Sequence, residues 1–239
     1  MNPVRRVIQK TGFDLHRYRK GPDKLEWIKS QNIKTVLDIG ANVGQFAKEI
    51  REILPDAQIY SFEPLKECFN KLSQGSSLGK FEAFNFALGD KEETKEINKS
   101  SYTPSSSLLP MTNTHKTLFP HTKKHSQEKI EIKRLDDVAK DLNLDPSADG
   151  EILIKVDVQG FEDKVIAGGV ETFKKAKVVL IENSFVELYE SQPLFDDIYM
   201  KLKELGFEYR GALQQKIAKN TGQIISEDSM FIRYENHAK

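Results

Sequence analysis

The sequence predicts an α/β protein in which a mostly parallel, doubly wound sheet of about seven strands carries helices on both faces. Three features carry that reading. Apolar strand-like runs alternate with segments of helical spacing over most of the chain, as parallel strands joined by crossover helices require. Glu151–Val158 is apolar at Ile152, Leu153, Ile154, Val156 and Val158, the composition of a strand covered on both faces. A glycine turn, Gly40 to Gly44, follows the first strand candidate and opens a helical segment, the place where open α/β sheets bind ligands.

Taken in chain order, Thr35–Ile39 is a short apolar strand running into Gly40. Gln45–Leu54 repeats apolar residues at Phe46, Ile50 and Ile53, a helix that Pro55 ends. Gln58–Phe62 is a second strand, and Pro64 suits the first turn of a helix over Leu65–Leu72. Phe81–Phe86 is a third strand. Lys91–Glu128 has few aliphatic residues and is rich in Ser, Thr, His, Lys and Pro. So long a stretch without periodicity predicts a functional lid or a disordered segment. Alternating Ile130 and Ile132 resume regular structure, with a helix near Leu135–Leu142 and a turn cluster at Asp145, Pro146, Asp149 and Gly150. Beyond Glu151–Val158 come a helix from Phe161 to Lys174, a buried strand at Val178–Ile181, and a helix over Phe195–Leu205 closed by Gly206. Phe207–Leu213 and Met230–Tyr234 are the closing strands.

The chain has 239 residues, 36 basic and 36 acidic, and zero formal net charge. The balance argues against a nucleic-acid partner, which selects a basic excess. The single cysteine, Cys68, excludes an internal disulfide and a cysteine-rich zinc site. No apolar run approaches the ~20 residues of a membrane span, and the basic N-terminus has no apolar segment behind it, so no secretory signal is read and a cytoplasmic location is expected. Residues 1–30 read as a basic helical extension: over the first 20 residues, Arg5, Arg6, Lys10, Arg17, Arg19 and Lys20 stand against the single acid Asp14, with Val4, Val7, Ile8, Phe13 and Leu15 interleaved. That pattern fits a helix packed on the domain with a solvated basic face. The alternative is peripheral contact with an anionic membrane or a lipid-linked glycan. Residues 31–239 form the main domain, with an acceptor-site insertion at 91–128. Trp27 reads as core.

The glycine turn reads Asp38-Ile39-Gly40-Ala41-Asn42-Val43-Gly44. A dinucleotide fingerprint would carry glycine at position 42 and no acid ahead of the turn, because a carboxylate repels pyrophosphate. Asp38 instead suits a cationic amino-acid tail, which points to S-adenosylmethionine. Glu63 closes the second strand about 20 residues further on, placed to accept ribose hydroxyls. Ala87 and Leu88, in Asn85-Phe86-Ala87-Leu88-Gly89, are placed to pack on a base. Gly40, Asn42 and Gly44 complete the candidate cofactor set.

These motifs, with Phe62-Glu63-Pro64, Ser106-Ser107-Leu108, Leu135-Asp136-Asp137 and Lys155-Val156-Asp157-Val158-Gln159-Gly160-Phe161-Glu162, occur in one order that resembles the FkbM family of S-adenosylmethionine-dependent O-methyltransferases. The resemblance spans residues 35–234. It implies a Rossmann-like class I methyltransferase fold, a seven-stranded mostly parallel sheet with the last strand antiparallel. It also implies methyl transfer from S-adenosyl-L-methionine, leaving S-adenosyl-L-homocysteine, to a hydroxyl of a bacterial glycan sugar or a macrolide. The chain departs from the family pattern at Gln159, where a glutamate is common.

Asp157 and Glu182 end adjacent buried strands and open on the same rim as Asp38. Asp157 is the first candidate for the base, with a helix-capping role as the alternative. His115, His121 and His125 in the insertion are its rivals, although polar loop residues are the plainer reading for each. Their spacing fits no helix-based metal motif, so no metal is expected. Ser106, Ser107, Gln159 and Glu182 are candidate acceptor contacts. Two other classes stay open: a catalytically silent cofactor-binding module, kept alive by Gln159, and an NAD-dependent oxidoreductase, disfavoured by Asn42.

Overall fold

The computed structural model describes residues 24–74, 78–122, 125–144 and 151–233. β1 (Ile33–Ile39), α1 (Gln45–Ile53), β2 (Gln58–Phe62), α2 (Lys66–Leu72) and β3 (Phe81–Phe84) form the first half of the main sheet. β7 (Glu151–Val156), α5 (Glu162–Gly168), α6 (Val170–Lys175), β8 (Ala176–Ser184), α7 (Phe195–Glu204), β9 (Phe207–Ile217) and β10 (Ile224–Arg233) form the second. The strand order is β3-β2-β1-β7-β8-β10-β9, and β10 runs antiparallel to both of its neighbours. This is the sheet the sequence predicts, with the switch point between β1 and β7.

Residue alternation along the strands fills both faces. Leu37, Ile39, Ile152, Ile154 and Val156 join one core cluster with Val165, Ile166 and Phe173 of α5 and α6. Val36, Ile59, Leu153, Val178 and Leu180 join the other with Ala47 and Ile50 of α1. Leu25 and Ile28 pack into this second cluster, so the extension expected over 1–30 is continuous with the core from residue 25 onward. Trp27 is half-buried at its edge. The basic pattern of residues 1–23, with either of its readings, lies outside the described residues.

The insertion differs most from expectation. It supplies β5 (Glu93–Ser100) and the start of β6 (His125–Arg134) to a second sheet that also holds β4 (Ala87–Gly89), in which β5 pairs antiparallel with β6 from Glu93↔Ile132 to Ser100↔His125. The short helix α3 (Asn113–Leu118) lies between β5 and β6, and α4 (Leu135–Asp141) follows β6. β5 buries only Ile97 and Ser100, so a strand held by its backbone ladder carries a polar sequence. The third expected strand is likewise split. Phe81–Phe84 stays in the main sheet, while Ala87–Gly89 crosses to the second. Pro64 lies before α2, whose N-cap is Leu65.

The helix expected over Phe161–Lys174 is broken at Gly168–Gly169. A Cβ on Gly168 would stand 1.8 Å from the Gly89 carbonyl oxygen, and one on Gly169 would stand 2.7 Å from Leu135. This contact seats β4 against the main domain. Gly168→Ala is therefore expected to cost about 1–3 kcal/mol in denaturant unfolding, the usual range for overpacking. A variant as stable as the parent would show that β4 is free to shift.

Candidate functional site

A row of polar residues crosses the carboxyl edge of the sheet. Register places Ser61 of β2 beside Asp38 of β1, and Asp38 beside Lys155 of β7. In-register residues of neighbouring strands share a face about 4.8 Å apart. Asp38 is fully buried; its Oδ2 accepts from the Ser61 hydroxyl at 3.3 Å, and its Oδ1 faces the Lys155 ammonium at 3.5 Å. Lys155 also donates to the Gly40 carbonyl at 3.1 Å and stands 3.7 Å from Asp157 Oδ2. Burial works against the ammonium, but Asp157 and Asp38 outweigh it and hold its pKa above the ordinary lysine value. Burial pushes the Asp38 carboxyl up.

Two cavities meet at this edge. The larger, of about 450 Å³, is walled by Ile39–Asn42, Glu63, Ala87, Leu88, Ser106 and Lys155 among others. The smaller, of about 290 Å³, lies under the insertion, with His115, Phe119, His121, Tyr189 and Lys216 in its wall. Tyr102, Pro104, Asp157, Gln159 and Glu182 line both.

Glu63 follows β2 and stands on the wall of the larger cavity. Its Oε2 accepts from the Asn42 amide and its Oε1 from the Leu65 amide, each at 2.8 Å, so it joins the first two βα turns at the cavity wall. Burial raises its pKa to about 7. Gly40 (φ +77°) shapes the turn: a Cβ there would lie 1.9 Å from the Asp157 carbonyl oxygen. The Asn42 side chain donates to the Thr103 hydroxyl at 3.2 Å, which ties the turn to the insertion.

Several expectations are corrected. Asp38 is not on the cavity wall, because alternation turns it to the face shared with Val36, where it is the counter-charge of Lys155. Gly44 caps α1 with φ +85° and is also off the wall. Ser107 is buried and lines neither cavity; its hydroxyl donates to the Gln159 carbonyl at 2.6 Å. Ser106 does line the larger cavity, with its hydroxyl accepting from the Ser100 amide at 3.0 Å. His121 is exposed at the rim of the smaller cavity, edge-on to Tyr102. The side chain of His125 lies outside the described residues.

Gln159 organises the junction. In a left-handed conformation (φ +56°), its side-chain amide donates to Asp157 Oδ1 at 2.7 Å and to Glu182 Oε2, and its carbonyl faces the Tyr189 hydroxyl at 3.0 Å. Lys216 donates to Glu182 Oε1 at 2.6 Å. Burial works to raise the Asp157 carboxyl, but Lys155, Gln159 and Lys216 outweigh it and hold the pKa below its ordinary value. Burial, with Asp157 nearby, pushes Glu182 up to about 7. Sequence reasoning assigned no role to Lys155, Lys216, Tyr102 or Tyr189. Lys155 had a readable signal: a charge inside an otherwise apolar, two-faced strand requires partners.

Among the described residues, no group of three or more His, Cys, Asp or Glu side chains is placed to hold a metal ion, and no helix is long and apolar enough to cross a membrane.

The sheet order, the single antiparallel strand and the cavity at the carboxyl ends of β1, β2 and β7 define a class I methyltransferase fold. A family model described as the methyltransferase FkbM domain matches residues 38–209, and the chain belongs to that family. It is 32% identical over 165 residues to the 2-O-methyltransferase NoeI of Sinorhizobium fredii (strain NBRC 101917 / NGR234), covering 66% of each chain. It is 27% identical over 193 residues to methyltransferase sdnD of Sordaria araneosa, covering 72% of this chain and 73% of that one. The crystal structure of methyltransferase FkbM from Methylobacillus flagellatus KT shares the fold, with a TM-score of 0.52 at 11% identity over 84% of this chain and 44% of that one.

Three glutamates with raised pKa values predict a pH dependence of stability. Glu63, Glu182 and Glu162 have pKa values raised to about 7, 7 and 8, mainly by burial. A raised carboxyl stabilises the fold in its protonated form. That contribution is complete below the ordinary glutamate value and is lost as pH rises through 7 to 8. The unliganded protein is expected to melt at a lower temperature near pH 8.5 than near pH 6. A melting temperature that rises across this window would contradict the burial of these groups.

Proposed function

We propose that the chain is an O-methyltransferase that binds S-adenosylmethionine in the larger cavity and a sugar hydroxyl of a glycan in the smaller one. The observation that carries this is the shared wall: Asp157, Gln159 and Glu182 line both cavities, so a donor in one and an acceptor in the other meet at a pair of carboxylates. The larger cavity fits the cofactor by charge. Glu49, Glu63, Asp157, Glu182 and Asp228 line it against Lys24 and Lys155, an acidic excess that favours a cationic ligand over the pyrophosphate of a dinucleotide. Glu63 would hold the ribose, Ala87 and Leu88 would pack on the base, and the Gly40–Asn42 turn would bring backbone close to the ligand.

When bound, S-adenosylmethionine supplies an activated sulfonium methyl. The residues of the chain supply position and a proton acceptor. Asp157, ionised beside Lys155, would accept the proton of the acceptor hydroxyl as that oxygen takes up the methyl group. Gln159 fixes that carboxylate and links it to Glu182. Tyr102 and Pro104 of the insertion roof the junction. A positioned base contributes about 10²–10⁴ in rate, and the rest comes from alignment. NoeI's name as a 2-O-methyltransferase supports oxygen as the acceptor atom.

Isothermal titration is expected to detect S-adenosylhomocysteine binding and no NAD binding, with Glu63→Ala weakening the former by roughly tenfold or more, the loss of a charged hydrogen-bond acceptor. Binding unchanged in Glu63→Ala would remove the ribose assignment. Asp157→Asn is expected to lower kcat by about 10²–10⁴ while S-adenosylhomocysteine affinity stays near that of the parent. An unchanged kcat would remove Asp157 as the base.

A further inference from the structure

Asp38 lies off the cavity wall, so the ammonium end of the cofactor lacks the partner the sequence suggests. Glu63, Asp157 and Glu182 line the larger cavity, but their oxygens are already engaged. Glu63 accepts from two backbone amides, and Asp157 is held by Gln159 beside Lys155. Glu182 is bonded by Gln159, Lys216 and the Ser226 hydroxyl. Asp228 differs. It lines the same cavity, it is partly exposed there, and its carboxylate makes no hydrogen bond or ion pair among the described residues. Lys24, next to the Leu25 that packs into the α1-side core, also lines the cavity, is exposed, and has no side-chain partner among the described residues. The two charges act on each other but are not paired. Burial, with Asp157 nearby, pushes the Asp228 carboxyl up against the pull of Lys216, Lys155 and Lys24. A bound cation works in the opposite direction.

Register sets Asp228 of β10 beside Glu182 of β8 and Gln214 of β9. In the order β2-β1-β7-β8-β10, Asp228 stands four strand spacings from Glu63, about 19 Å along the sheet edge. Eight covalent bonds run from a ribose hydroxyl oxygen of S-adenosylmethionine to its ammonium nitrogen, about 9 Å in an extended chain. Two carboxylate side chains, each with a charge-assisted hydrogen bond of ~2.8 Å, cover the remainder. The sulfur then lies over the ends of β7 and β8, where Asp157 and Glu182 stand. Phe46, Leu180 and Leu213, all packed in the α1-side cluster, give the cavity an apolar wall for the methylenes of the tail. We propose that Asp228 and Lys24 form the amino-acid subsite of the larger cavity, Asp228 accepting from the α-ammonium of S-adenosylmethionine and Lys24 pairing with its α-carboxylate. This rests on the reading of the larger cavity as the cofactor site. An unpaired acid near an unpaired base matches a zwitterion, whereas either alone matches one of its ends. Both residues bind, and neither has a part in proton transfer.

The test is isothermal titration of the full chain with S-adenosylhomocysteine, its deaminated form, its decarboxylated form, and 5′-methylthioadenosine, which has no amino-acid end. The parent is expected to bind S-adenosylhomocysteine roughly tenfold to a hundredfold more tightly than the deaminated form, a comparison that needs no variant. Asp228→Asn keeps the shape of the side chain and removes its charge. It should weaken S-adenosylhomocysteine by a similar factor while binding the deaminated form and 5′-methylthioadenosine as the parent does. Lys24→Met should weaken S-adenosylhomocysteine by roughly twofold to fivefold, the range of an exposed ion pair, and bind the decarboxylated form as the parent does. Unchanged 5′-methylthioadenosine binding also shows that each variant is folded. A deaminated form that binds the parent as tightly as S-adenosylhomocysteine, or S-adenosylhomocysteine binding unchanged in Asp228→Asn, overturns the subsite and leaves the cofactor reading standing. A loss in Asp228→Asn shared equally by 5′-methylthioadenosine overturns it too, because the effect is then not at the tail. Unchanged binding in Lys24→Met overturns the part given to Lys24. No binding of S-adenosylhomocysteine by the parent overturns the cofactor reading and this inference with it.

Discussion

The site depends on one buried cation. Lys155 is the penultimate residue of the central strand β7, where both flanking residues are apolar and fully buried. A lone ammonium there would be costly, so the fold supplies Asp38 across the β1–β7 pair, the Gly40 carbonyl above it and Asp157 at the strand end. That arrangement links three functional parts. It holds the first glycine turn against β7, makes Asp38 a structural counter-charge, and keeps Asp157 ionised where the two cavities join. The close approach at Gly40 has the same effect, since the Asp157 carbonyl occupies the space a side chain would need.

The insertion is wired to both halves of this arrangement. Thr103 takes the Asn42 side-chain amide beside the larger cavity, and Ser107 donates to the Gln159 main-chain carbonyl at the wall the two cavities share. Tyr189, from the segment after β8, reaches Gln159 and the Ser105 carbonyl. A single glutamine in a left-handed backbone thus receives bonds from the insertion and from the β8–α7 connection, and spends its side chain on two carboxylates that would otherwise repel. The amide supplies the donors that keep Asp157 and Glu182 side by side. On this geometry, the glutamine at position 159 is compatible with catalysis and does not require a silent module.

The main sheet was legible because burial leaves a periodic trace. Two-faced burial made Ile152–Val156 unmistakable, and the 3.6-residue repeat at Phe46, Ile50 and Ile53 marked α1. β5 left no such trace, because an edge strand with two buried side chains carries the composition of a loop. The break at Gly168–Gly169 was hidden, since helices tolerate glycine and the reason lies in a distant carbonyl. The site was legible to the level of which strand ends converge: Glu63, Asp157 and Glu182 all line the larger cavity. The side of the backbone was missed for Asp38, although its alternation with Val36 and its register with Lys155 predict the buried face. Lys216, Tyr102 and Tyr189 come from distant segments whose approach only tertiary packing decides.

The most direct test of the central claim, that donor and acceptor meet at the Asp157–Gln159–Glu182 junction, is a crystal structure of the protein with S-adenosylhomocysteine. The account predicts the ribose hydroxyls on Glu63 and the sulfur facing Asp157 across the shared wall. A nucleoside held away from Glu63, or a sulfur directed away from the smaller cavity, would contradict it.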